Sequence, residues 1–191
     1  MARDASPTTE PSTALRRGVI ALGVFAIIVA VSASLLLGSV HGSPPTLLAF
    51  LGRFHPLLVH LPIGMFVLVV LAESATLLPR LQLRARIDPV LGLALPVTVL
   101  GALAAFVLGH LLALTGDYPE HVLGWHKRLE LFAVIGAALA LIAWELQERK
   151  AFAQARTLYR GLLFASVGLL SIGAHFGGTI THGETLSLIH I

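Results

Sequence analysis

The 191-residue sequence contains no cysteine, which excludes disulfides, thiolate metal sites, iron–sulfur ligation and covalent haem attachment through CxxCH. It is also poor in charge. Only 12% of its residues are Asp, Glu, Lys or Arg, against roughly a quarter in a soluble domain. With 56% hydrophobic residues and a mean hydropathy of +0.87, most of its surface has to face lipid. The length suffices for one bundle of spans and leaves no room for a separate soluble catalytic domain. A pI near 10 does not imply a nucleic-acid partner here, because the basic residues sit in short flanks between apolar runs. No internal repeat stands out, and no HExxH or HxxxH pair marks a hydrolytic zinc enzyme.

What is present is five apolar runs, at 18–40, 54–78, 89–114, 123–146 and 158–180. Each meets the ~20 residues a helix needs to cross a bilayer core. The expected fold is an all-α integral membrane protein, an antiparallel bundle of five transmembrane helices joined by short connections. Residues 1–15, rich in Pro, Ser and Thr, read as a disordered tail. Residues 16–42 read as an additional N-terminal helix. Residues 51–186 read as a four-helix, histidine-rich domain. The run at 18–40 is longer than a signal-peptide core and ends without an A-x-A site, so the first helix is expected to be retained.

Arg3, Arg16, Arg17, Arg80, Arg84, Arg86, Arg149, Lys150, Arg156 and Arg160 fall on one side of these spans, and only Arg53, Lys127 and Arg128 on the other. The positive-inside rule makes the first side cytoplasmic. The expectation is a multi-pass protein of the bacterial inner membrane, N-terminus inside and C-terminus periplasmic. Topology then sends all nine histidines to the outer half. His41, His121 and His190 read as headgroup-region residues. By helical rise His60 lies ~9 Å, and His175 ~8 Å, from the outer ends of their helices, with His110 and His126 somewhat shallower. His55 and His182 form a more exposed pair. Four helices thus offer imidazoles to one slab, and ionisable groups in a membrane mark function by default.

The leading expectation is a b-type haem on two axial histidines, His60 with His175 preferred and His110 with His126 as the other pair. Glu130, one turn from His126, is expected to orient that imidazole. With histidines on one side only, such a protein exchanges electrons at its outer face, with a quinol, a respiratory-complex subunit or a periplasmic cytochrome c. It reads as an electron-transfer or accessory subunit rather than an enzyme. The alternatives are a zinc or copper site using His55, His182 and Glu130, with Asp117 or Glu184 nearby, or a structural subunit without cofactor whose histidines bond between helices. Glu73, in the inner half of the second span, is expected to pair with Arg80 or another flanking base.

Three blocks carry a family resemblance: HPLLVHLPIG at 55–64, GWHKRL at 124–129 and HFGGTITHGE at 175–184. They resemble the bacterial membrane family called domain of unknown function 2231, above all the version attached to c-type cytochrome modules. The resemblance covers about residues 51–186 and leaves the first helix as an addition. It implies a four-helix membrane domain found near respiratory components. It points to His55, His60, His126, His175 and His182, and it does not reach His110. Lacking CxxCH, this chain would need a separate electron partner.

Overall fold

A computed structural model describes residues 13–39, 44–78 and 82–183. Among these residues the regular structure is entirely helical: α1 Thr13–Gly38, α2 Thr46–Gly52, α3 His55–Leu58, α4 His60–Ala75, α5 Arg84–Ala113, α6 Glu120–Glu148 and α7 Ala155–His182. Five stretches are long and apolar enough to cross a membrane, Arg16–Gly38, Thr46–Ala75, Arg84–Ala113, Glu120–Glu148 and Ala155–His182. The chain is a multi-pass membrane protein. α1 begins at Thr13, within the stretch read as a tail through Leu15. Residues 1–12 lie outside the described residues, as do His41, Arg80, Glu184 and His190.

The second crossing is not the single helix the apolar run suggests. It starts at Thr46 and is broken twice, at Arg53–Phe54 and at Val59. Pro62 explains the second break, since it has no N–H to give the Leu58 carbonyl. Gly52 explains how α2 reaches α5. A Cβ there would stand 2.6 Å from the Leu112 amide nitrogen, and backbone cannot step aside. Gly52→Ala is expected to push α2 off α5 at a cost of ~1–3 kcal/mol. An unchanged thermal midpoint in detergent would contradict that packing.

Helices α4, α5, α6 and α7 form a ring in which α6 and α7 pack most extensively and α4 meets α7 only lightly; α1 lies against α5 and α6. Small residues permit the close approaches, as expected where lipid gives no hydrophobic drive. Ala26 and Ala30 of α1 are fully buried, and Gly23 lies under Ile142 of α6. Gly136 of α6 meets Ser166 of α7. The core between them holds Phe66, Leu91, Leu95, Phe106, Leu141 and Leu163, with Tyr159 edge-on to Trp144 at 5.0 Å.

One end of the bundle is an ion network. Fully buried Glu73 of α4 accepts from Arg160 Nε at 2.6 Å and Arg156 Nη2 at 3.3 Å, both from α7. The expected Arg80 pairing falls outside the described residues, and the partners observed come from another helix. Arg156 also lies 3.9 Å from Asp88 of α5, and Arg16 of α1 lies 3.8 Å from Glu145 of α6. The described histidines occupy the opposite end.

Candidate functional site

At the histidine end, α3 to α7 enclose a cleft of about 660 Å³. His55, His60, His110, His126 and His182 line it, with Tyr118, Lys127 and Glu130. The volume falls within the range of small-molecule and cofactor pockets.

Four of these imidazoles share one arrangement. His55 Nδ1 lies 2.8 Å from the Ala105 carbonyl oxygen, His60 Nδ1 2.7 Å from that of Pro56, His110 Nδ1 3.1 Å from that of Phe106, and His126 Nδ1 2.8 Å from that of Gly173. A carbonyl only accepts, so each Nδ1 carries the proton and donates. Each Nε2 is then the atom left for other work, which is how proteins fix the tautomer of a ligating histidine. His60 and His110 take carbonyls of their own helices. His55 and His126 instead reach across, to α5 and to α7.

The two cross-helix histidines lie in an edge-type ring contact, centroids 6.5 Å apart and planes at 76°. Each lies on a glycine of the helix it bonds. A Cβ at Gly109 would stand 2.9 Å from His55 Cε1, and one at Gly177 3.0 Å from His126 Cε1. His126 Nε2 has one neighbour, Glu130 Oε1 at 3.4 Å. That is beyond ordinary hydrogen-bond range, and the contact is favourable only with a proton between the two atoms.

His175 does not join this group. On α7 the cleft is lined by Leu170, Ala174, Gly177, Gly178, Ile180, Thr181 and His182, and His175 is not among its lining residues. Its ring is exposed, with Phe176 at 6.0 Å beside it. The structure places His60 in the cleft lining as an exposed rim residue and does not bring His175 to it. His110 is 3% exposed and tilted over Phe106 at 4.3 Å, and it lines the same cleft as His126. Glu130 does not orient His126 through Nδ1, since the Gly173 carbonyl does so. The expected metal group of His55, His182 and Glu130 is not assembled, for among the described residues no three His, Asp or Glu side chains gather for one ion. His121 accepts from Trp125 Nε1 at 3.3 Å, on the exposed surface. The carbonyls of Ala105 and Gly173, and Gly109, carry no side-chain signal and were invisible to sequence reasoning; Tyr118 and Lys127 were visible but unconnected to the cleft.

A family model described as predicted membrane protein (DUF2231) matches residues 53–186. The chain belongs to this family. The match begins two residues before His55 and ends beyond His182, so the DUF2231 region holds every residue that lines the cleft, while α1 lies outside it. No curated protein and no solved structure matches the chain.

Proposed function

We propose that this DUF2231 protein is a membrane electron-transfer subunit that holds one b-type haem between His55 and His126. The observation that carries the reading is the His55–His126 pair itself. Two imidazoles bonded to opposite sides of one iron at ~2 Å each have ring centroids roughly 6 Å apart. The observed spacing is 6.5 Å, with both Nδ1 atoms already committed to carbonyls. Two protein ligands complete a haem, whose macrocycle brings four nitrogens of its own. Zinc asks for three or four from the chain. Ligation through His126 Nε2 would replace only the loose Glu130 contact.

A haem held this way supplies one-electron transfer. The residues of the chain fix the imidazoles and enclose the macrocycle. In the topology set by the basic residues, Arg16, Arg84, Arg149, Arg156 and Arg160 mark the cytoplasmic end of an inner-membrane bundle, and the cleft faces the periplasm. Electrons would then be exchanged at that face with a cytochrome c, a respiratory-complex subunit or a quinol. The deciding measurement is the absorption spectrum of the detergent-purified protein, oxidised and dithionite-reduced, together with elemental analysis. A b-type α band on reduction, with iron close to one per chain, is expected. A colourless protein carrying stoichiometric zinc or copper, or no metal at all, would overturn the assignment.

A further inference from the structure

We infer that the site lies on a local two-fold axis relating two equivalent helix hairpins, α3–α5 and α6–α7, and that Gly109 and Gly177 are positioning residues seating its two imidazoles at a large angle. This rests on the haem reading above. The sequence shows no repeat, yet the two hairpins seat their histidines through the same set of contacts. His55 bonds the Ala105 carbonyl of α5, and His126 bonds the Gly173 carbonyl of α7, both at 2.8 Å. Four residues further along each receiving helix a glycine lies under the ring. The imagined Cβ meets the same three ring atoms in each case, with Cε1 nearest, Nδ1 next and Nε2 farthest. Seven residues before each carbonyl stands a buried hydroxyl, Thr98 in α5 and Ser166 in α7. Each donates to its own i−4 carbonyl, of Ala94 at 2.8 Å and of Leu162 at 2.6 Å. Thr98, Ala105 and Gly109 map onto Ser166, Gly173 and Gly177 with one constant offset of 68 residues.

The equivalence has a spectroscopic consequence. The glycines allow each ring to lie flat on its receiving helix, and the two helices set the ring planes 76° apart. Near-perpendicular axial imidazoles leave two iron d orbitals close in energy, so an oxidised bis-histidine haem gives a strongly anisotropic low-spin signal dominated by one large g value. Parallel planes give a rhombic signal with three resolved g values. The angle is thus readable without any assay of activity, and axial geometry is among the levers a protein has on haem.

The test is low-temperature electron paramagnetic resonance of the oxidised full-length protein in detergent, alone and as Gly109→Ala and Gly177→Ala. The wild type is expected to show the single large-g low-spin signal. Each glycine variant is expected to shift that g value by a similar amount, because a methyl group would press on an equivalent ring atom. Gly168→Ala, on α7 with open space around its Cβ, is the control and leaves the signal in place. A haem protein with a rhombic or high-spin wild-type signal overturns this inference while leaving the haem reading intact. So does a shift confined to one of the two glycine variants. If the variants do not fold, the wild-type spectrum alone decides. A preparation without haem overturns both readings.

Discussion

Replacing His55 or His126 by alanine is expected to strip the haem from the purified protein or leave it five-coordinate and high-spin, whereas His175→Ala keeps the wild-type complement. With no cysteine in the chain, a bound macrocycle would have no covalent tether, and its affinity would rest on the two histidines and the fit of the cleft. Loss of a mere supporting contact to a ligating histidine typically costs ~10–100-fold in affinity. Loss of the ligand itself should exceed that, and because the two histidines are equivalently held, both variants should fall together. His60→Ala is expected to retain haem, since His60 stands exposed at the cleft rim and bonds only its own helix at Pro56. The reduced pyridine spectrum, divided by protein concentration, gives haem per chain for each variant. Full retention in His126→Ala, or loss in His175→Ala, would return the ligand set to the pairing that depth alone suggests.

Depth is where the sequence was legible, and angle is where it was not. Apolar runs fixed the five crossings because a bilayer leaves helices little choice, and counting basic flanks separated the arginine end from the histidine end. Rise per residue then put His60 and His175 in one slab. It cannot say which way a side chain points, and His175 sits one residue from Ala174, which lines the cleft. The decisive partners of His55 and His126 are backbone carbonyls 50 and 47 residues away, which every residue possesses. Gly177 follows His175 in the chain, yet the group it admits is the His126 ring from another helix. Glu73 shows the same limit: its burial followed from its place in an apolar run, while Arg156 and Arg160 could be chosen over other bases only once α7 lay beside α4.

Glu73→Ala should be the most destabilising single substitution in the bundle, by ~3–5 kcal/mol, because it leaves Arg160 partly buried without its counter-ion and Arg156 with Asp88 alone, at 3.9 Å. Glu73 is fully buried, and Oε1 alone receives Arg160 Nε, Arg156 Nη2 and the Thr76 hydroxyl, while Arg160 Nη2 also donates to Thr76 Oγ1 at 3.1 Å. Such a pair carries a large desolvation cost in any case, so the loss measures the stranded arginines more than the worth of the bridge. That distinction can be tested. Changing Glu73, Arg156 and Arg160 together to leucine should recover most of the stability that Glu73→Ala loses, since no charge is then left uncompensated. Thermal unfolding in one detergent, followed by circular dichroism, would compare the three proteins. For a chain of this size the single variant should melt roughly 10 °C lower. An unaltered midpoint in Glu73→Ala, or a triple variant weaker than the single one, would remove the network from the stability of the fold. The consequence for the cleft follows from where the brace sits. α4 touches α7 only lightly, and Glu73 ties them at the end away from the histidines. The tie therefore acts at the arginine end, away from the His55–His126 contact. In Glu73→Ala, haem loss on heating should track the lowered midpoint, while haem content at low temperature stays that of the wild type.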